Sequence, residues 1–558
     1  MPQIRAQAAA SELNVALRKY GTWGLVATAV VVHLSIAAQS VGPMYLFDEV
    51  GYLAGAKEIA GQSYAWSLCG SSYSMGYSAI LAPLWWLPVT PVVLYQLAAF
   101  LSAAIGAAVI WPATALARRF GATPGIALAI GALVSLVPTR ALLDNYVIAE
   151  NPLTFLVVCA AVLAWRIADH NRMRDAVWFG VVIGLAAAVH ARALPFVAIG
   201  VAWVVARWIV RAWSGRMALA AAVPAITLTA AGFLGQFTIG TTIFASGSRI
   251  DDLVGHVTLR GIGQVLLGQG FTQVVSWSLL TVLGLLACAA RARRAVLSER
   301  VSGIASPWWW LGAMVTAQAA FFIVVVLPGF ADFDTRLDAP IYGRYLDPFV
   351  VPLAVLGATM LWTGARRRLT TLALVAATVA VLAYGAVVLP RIPVDAKWIP
   401  FAIPGLEPFL SPSAGDDRSA LAVAGGVALL GAVLLWFSRS LPRVGVAAAL
   451  IVAAAVTLAT DAARVDPFEG DVRARSVIAG FVYANPERPA TLAADLLGCA
   501  ERNKLQLELA KAATIVPSGG DYGDGYVVGP AVWPDATSDG RAVVPLTRWE
   551  SSAVWFKP

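Results

Sequence analysis

The chain has 558 residues, of which 59% are hydrophobic and only 13% charged, whereas a soluble domain carries about a quarter charged residues. That excess of apolar side chain excludes a soluble enzyme and a disordered chain alike. The net charge of +8 would suggest nucleic acid as a partner in a soluble protein. In a membrane protein the placement of basic residues matters more than their sum, and no nucleic-acid partner is expected.

Residues 1–20 are polar and amphipathic, and the apolar run at 21–40 lacks a small-residue cleavage site, so it reads as an uncleaved first span. An apolar stretch of about 20 residues crosses a bilayer as a helix, because a helix satisfies its own backbone polar groups in lipid. Further spans are expected near 91–111, 122–138, 152–166, 177–191, 194–210, 217–238, 272–290, 308–328, 347–363, 369–388, 419–437 and 444–460. With the N-terminus in the cytoplasm, the alternating inner connections hold 20 basic residues and four acids, and the outer ones 10 basic residues and 15 acids. A miscounted span would have scrambled this alternation.

The expected architecture is therefore an all-α polytopic membrane protein of about thirteen transmembrane helices in the plasma (inner) membrane. Its membrane domain covers 1–460, with external loops at 41–90, 139–151, 239–271, 329–346 and 389–418. Residues 461–558 carry 13 acids and 10 bases and end in β-like runs at 525–533, 541–549 and 552–556. They read as a small extracytoplasmic C-terminal domain, α/β or β-rich. Long loops and a domain on one face place the working end outside the cytoplasm.

The first external loop brings adjacent carboxylates, Asp48 and Glu49, close to a span, followed by an amphipathic run and a stretch rich in Tyr, Ser and Gly that includes Tyr73. A second acidic site on the same face holds Asp144 and Glu150. Such carboxylates can supply a general base for a hydroxyl and a group that orients it; Asp48 can equally serve as the N-cap of a helix beginning at Glu49. External arginines are few, and Arg192 and Arg344 sit at the mouths of spans, at the depth of a phosphate. Arg suits bidentate phosphate contact, and it also serves as an interfacial anchor beside a residue such as Tyr345. His190 is a phosphate donor or an interhelix histidine. Lys57 is a phosphate contact or a solvated lysine. In the tail, Trp533 and Trp549 suit stacking on sugar rings or the packing of a small β core.

A juxtamembrane Asp-Glu followed by Tyr52 and a surface helix resembles the GT-C superfamily of integral-membrane glycosyltransferases. The nearer resemblance is to the group of protein O-mannosyltransferases and lipid A aminoarabinose transferases, which use lipid-phosphate sugars. Glu150-Asn151-Pro152 and Gly343-Arg344-Tyr345-Leu346-Asp347-Pro348 fit that group's second acidic loop and its Arg-Tyr-x-x-Pro element. The tail instead resembles the external domain of actinobacterial arabinofuranosyltransferases.

The resemblance implies an inverting transfer of a sugar from a polyprenyl phosphate to a cell-envelope glycan, lipid or protein. In it Asp48 is the general base, and Glu49, Asp144 and Glu150 are orienting carboxylates. Arg344, Tyr345, Arg192, His190 and Lys57 contact the donor phosphate, and Tyr52, Tyr73, Trp533 and Trp549 contact the acceptor or glycan. Such a donor needs no nucleotide site, and the sequence holds no Walker or Rossmann loop. A divalent metal is not required, although Asp251 and Asp252, with Arg249 and His256 nearby, offer oxygen ligands. The competing readings are a lipid-linked-sugar transporter or flippase, a ligase moving a preassembled glycan, and a non-catalytic wall anchor. Cys69 and Cys499 share the outer compartment and are expected to pair, clamping the tail over the first external loop.

Overall fold

The computed structural model describes residues 23–40, 42–43, 48–62, 68, 73–243, 257–330, 333–364, 367–393, 398, 400–410, 417–509, 513–516, 522–545, 547 and 552–557. The helices in chain order are α1 (Trp23–Ala38), α2 (Asp48–Ile59), α3 (Met75–Leu81), α4 (Pro91–Ala108), α5 (Ile110–Arg119), α6 (Pro124–Leu136), α7 (Glu150–His170), α8 (Met173–Val189) and α9 (Leu194–Ile209). They continue with α10 (Gly215–Ile243), α11 (Leu259–Trp277), α12 (Leu280–Glu299), α13 (Pro307–Phe321), α14 (Asp347–Thr363), α15 (Arg367–Val387), α16 (Asp417–Ser438) and α17 (Pro442–Ala484).

Local chemistry marks many of the boundaries. Pro91, Pro124, Pro307 and Pro442 open their helices, where a missing N–H goes unneeded. The hydroxyls of Thr90 and Ser306 cap two of these by accepting the backbone N–H of Val93 (3.4 Å) and Trp308 (3.3 Å). Helix α7 ends on Asn171 and α14 on Gly364, both with positive φ (49° and 113°), the left-handed geometry that closes a last helical turn.

Among the described residues, eight helices are long and apolar enough to cross a membrane, or ten if each of two bent pairs is one span; α1 and α14 are shorter apolar helices. The expected span at 272–290 is corrected. The chain bends by 110° between α11 and α12, at Ser278, whose φ is +51°. Most of the segment read as loop 239–271 is therefore helix, and α11 leads into the bend rather than starting a crossing at 272. The second bend, 58° between α6 and Pro138–Asn145, carries Arg140 and Asp144 back toward the protein interior.

Tight helix contacts rest on small residues, as they do where lipid supplies no hydrophobic drive between helices. Helices α12 and α14 cross at Gly284 and Gly357. A Cβ on Gly284 would strike the Leu353 carbonyl, and one on Gly357 the Leu280 carbonyl. This crossing fixes the helix that begins three residues after Arg344. On the outer surface, α15 exposes Leu372, Val375, Val379 and Leu382, and α16 exposes Val423, Val427, Leu430 and Leu434. These are single apolar faces at helical spacing, suited to lipid.

The connections segregate to two ends. Arg119 pairs with Asp169, Arg166 with Asp175 (2.8 Å), and Arg207 donates to the Ala305 carbonyl (2.9 Å), so the Arg-rich connections touch one another. Asp48, Glu150, Arg192 and Arg344 meet at the other end.

The tail forms a five-stranded sheet of order β2-β1-β3-β5-β4, built from β1 (Ala490–Ala493), β2 (Ala513–Val516), β3 (Tyr526–Pro530), β4 (Ala542–Val543) and β5 (Ser552–Phe556). Strand β1 lies parallel to β2 and β3, and β5 lies antiparallel to β3 and β4. Helix α18 (Cys499–Glu508) makes the crossover from β1 to β2. Ile478, Ala479 and Val482 of α17 pack with Leu492, Leu505, Val528 and Val554 of the tail. One continuous helix, about 64 Å long by its rise, thus carries the membrane part into the sheet. Helix α18 also packs on α2 and α4, and its Leu507 joins the main membrane core.

Candidate active site

Helix α2 opens on Asp48. The Asp48 carboxylate accepts the Tyr73 hydroxyl on Oδ1 (2.5 Å) and the Arg344 Nη2 on Oδ2 (2.7 Å), and its side chain keeps 20% of its surface exposed. Burial opposes its ionisation, yet the Arg344 charge and the Tyr73 and Arg344 hydrogen bonds outweigh it and hold the carboxyl below its ordinary value. Asp48 is therefore an ionised carboxylate in a protein wall, open on one side.

Glu150 bridges the two expected arginines. Its Oε1 accepts Arg192 Nη2 and lies 3.2 Å from Arg344 Nε. Aromatic rings hold both guanidiniums in place. Arg192 lies 4.3 Å from the Tyr345 ring centre, and Arg344 lies 3.9 Å from that of Phe401 and 5.5 Å from that of Tyr345. Gln318 donates to the Arg192 carbonyl (2.6 Å), and the Arg192 N–H donates to His190 Nδ1 (3.3 Å). Arg192 and Arg344 are almost wholly buried. Arg344 Nη1 and Arg192 Nε and Nη1 have no hydrogen-bond partner among the described residues. Three buried guanidinium nitrogens whose N–H groups lack acceptors form a cradle for an anion.

The other expected residues fall around this centre or apart from it. Tyr52 is buried one turn along α2 from Asp48, its ring 5.0 Å from that of Tyr73. Glu49 turns the opposite way. Its Oε1 accepts the Tyr95 hydroxyl (2.5 Å) and the Val147 N–H (2.8 Å), tying α2 to α4 and to the second loop. Asp144 lies deeper, 2.5 Å from His33 Nδ1 and accepting Asn151 Nδ2 (2.8 Å). Asn151 in turn accepts Arg140 Nη2 (2.9 Å). This chain of polar groups stands behind Glu150 rather than beside Asp48. Lys57 is nine residues along α2, roughly 13 Å from Asp48 by helical rise, with its ammonium over Trp85.

Trp533 is buried in the tail, edge-on to Tyr522 and Trp555. Trp549, Cys69, Arg249, Asp251, Asp252 and His256 lie outside the described residues. Among the described residues no group of three or more His, Cys, Asp or Glu is arranged to hold a metal ion. Cys499 is disulfide-bonded, whereas Cys159 and Cys288 are free.

Phe401 and Gln318, unforeseen in the sequence, complete the centre. Neither carries a local signal, since one is a lone aromatic in a loop and the other a lone amide in an apolar helix. An apolar cavity of about 540 Å³ lies next to the site, lined by Gly76, Ile80, Ile105, Pro152, Phe155 and Val189. Pro152 is two residues from Glu150, and Val189 directly precedes His190.

No protein-family model matches the sequence, and no curated protein matches it. Solved structures do. ArnT from Cupriavidus metallidurans bound to undecaprenyl phosphate aligns over 96% of this chain and 97% of its own, at 16% identity and a TM-score of 0.52. The apo state of the same protein aligns over 99% and 98%, at 16% identity and 0.50. The arabinosyltransferase EmbB from Mycobacterium smegmatis aligns over 79% of this chain and 40% of its own, at 15% identity and 0.44. On the two ArnT alignments, the chain has the GT-C fold.

Proposed function

We propose that the chain is an inverting glycosyltransferase that moves one sugar from a polyprenyl-phosphate donor to a cell-envelope glycan, lipid or protein acceptor. The membrane part, 1–460, crosses about thirteen times, with α12 (Leu280–Glu299) taking the place of the crossing expected at 272–290; its N-terminus is cytoplasmic and it carries the reaction on its outer face. Residues 461–558 form an extracytoplasmic domain. The observation that supports this reading most is one cluster holding an ionised, partly exposed Asp48 beside two buried arginines with unused N–H groups.

The phosphate of the donor sits on Arg344 Nη1 and on Arg192 Nε and Nη1, and its tail enters the apolar cavity below α3. Asp48 takes the proton of the acceptor hydroxyl as that oxygen bonds to the anomeric carbon. The bond from that carbon to the phosphate oxygen breaks, and polyprenyl phosphate leaves with the electron pair. The arginines stabilise the charge that grows on the leaving phosphate. Attack opposite the departing group inverts the anomeric centre.

The Asp48–Arg344 pair adds a control to this scheme. In the resting site Arg344 satisfies Asp48 and keeps it a weak base. A phosphate arriving on Arg344 competes for the same guanidinium, so the carboxylate gains basicity when the donor is in place. The test is purified protein with a panel of polyprenyl-phosphate sugars. Release of free polyprenyl phosphate together with a glycosylated acceptor supports the reading. Movement of an unchanged lipid-linked sugar across sealed vesicles would instead mean a transporter.

A further inference from the structure

A second apolar cavity, of about 510 Å³, opens at the Arg-rich end of the molecule, far from the cluster around Asp48. Its walls include Cys159 and Arg166 of α7 and Arg174, Asp175, Trp178 and Val182 of α8. It continues the crease that holds the first cavity. Leu156 and Cys159 are successive steps along α7, and Val182 and Leu185 along α8, each pair dividing between the two cavities. From Arg174 to Val189 the crease runs about 22 Å by helical rise, most of the hydrocarbon thickness of a bilayer.

The polar foot of this cavity has two unlike parts. Asp175 is 1% exposed; Arg166 occupies its Oδ1 at 2.8 Å, and its Oδ2 has no hydrogen-bond partner among the described residues. A buried carboxylate oxygen without a donor is costly. Beside it Arg174 is exposed and makes no ion pair among the described residues. Trp178, 54% exposed, stands at the same level, as an indole does at the membrane interface. The foot thus offers one acceptor for a cation that donates hydrogen bonds and one guanidinium for an anion, below a slot lined by hydrocarbon.

We propose that this cavity binds a phosphatidylethanolamine of the cytoplasmic leaflet. Its primary ammonium donates to Asp175 Oδ2, its phosphate lies on Arg174, and an acyl chain fills the crease between α7 and α8. Phosphatidylcholine has the same net charge, but its quaternary ammonium has no N–H to give. Phosphatidylglycerol has a phosphate for Arg174 and hydroxyls in place of the cation. Either fits the foot less well.

The test reads bound lipid rather than transfer, so it stands apart from the proposed reaction. The full chain in detergent is equilibrated with equal amounts of phosphatidylethanolamine, phosphatidylcholine and phosphatidylglycerol, repurified, and its retained lipid quantified by mass spectrometry. About one phosphatidylethanolamine per chain is expected, at least tenfold over phosphatidylcholine. Asp175→Asn should bring the two within twofold of each other. Arg174→Gln, at an exposed position, should lower all phospholipid severalfold, and Val182→Trp should empty the slot. Should Asp175→Asn fail to fold, the last two variants still decide. Equal retention of ethanolamine and choline lipids by the wild type, or a preference for phosphatidylglycerol, overturns the proposal.

Discussion

Asp48 and Arg344 are 296 residues apart in sequence and meet at 2.7 Å, so the start of α2 and the entrance to α14 close on each other through a single ion pair. Arg344 also leans on Glu150, which holds Arg192, and these four side chains bring together α2, α7, the turn before α9 and the turn before α14. Any ligand that engages one of the arginines alters the surroundings of Asp48.

The pH profile should report that coupling. Asp48 acts as a base only when ionised, so activity falls as pH drops through its pKa. Because that pKa is lowered in the free protein, the acid limb of kcat/KM, which reports the free enzyme, should lie below the usual carboxylate range near 4. The acid limb of kcat should lie at higher pH, since bound phosphate draws Arg344 away. In Arg344→Gln the effect of burial remains without its counterweight, so the kcat/KM limb should move upward. A limb unmoved by that substitution would show that Arg344 does not set the basicity of Asp48.

Arg192→Gln removes the cation whose Nε and Nη1 lack acceptors, while the Asp48–Arg344 contact stays. Loss of such a donor costs about 10²- to 10³-fold in rate. The loss should appear in donor turnover and in affinity for inorganic phosphate or polyprenyl phosphate, read by calorimetry. Affinity equal to wild type would remove Arg192 from the cradle.

Glu49 should behave otherwise than its neighbour. It accepts from Tyr95 and from the Val147 N–H and is fully buried. Glu49→Ala leaves two buried donors without an acceptor, at about 1–3 kcal/mol each. A clear fall in melting temperature is expected, with turnover per folded molecule near wild type. Full stability with lost turnover would instead give Glu49 a direct part in the chemistry.

The tail should act as a brace. Helix α18 packs on α2 and α4, and Cys499 is disulfide-bonded. Cys499→Ser should lower stability by about 2–4 kcal/mol and speed proteolysis of the tail, with a smaller fall in turnover because α2 loses support. A tail as resistant to protease as the wild type would argue against the brace.

How far the sequence discloses this arrangement depends on the kind of signal. Apolarity over a full crossing is explicit, and α16 (Asp417–Ser438) covers the stretch expected at 419–437. Arginines at the mouths of spans stand out because charge is scarce there. The bend at Ser278 is silent, since the residues on both sides of it are apolar and only the backbone φ distinguishes the position. Strands β1 and β2 also escape notice, as four-residue segments that begin with alanine carry little alternation. Adjacent Asp48 and Glu49 read as one acidic pair, yet neighbours on a helix point about 100° apart, so one faces the arginines and the other the core. Phe401 on Arg344 and His33 on Asp144 are long-range meetings that no local pattern announces.

The most direct measurement is a single-turnover assay of wild type and Asp48→Asn with one polyprenyl-phosphate sugar and its acceptor, alongside donor binding. Base removal should slow transfer about 10²- to 10⁴-fold, with donor affinity kept or raised because Arg344 is released from its resting partner. An Asp48→Asn protein that transfers sugar at the wild-type rate would contradict the account.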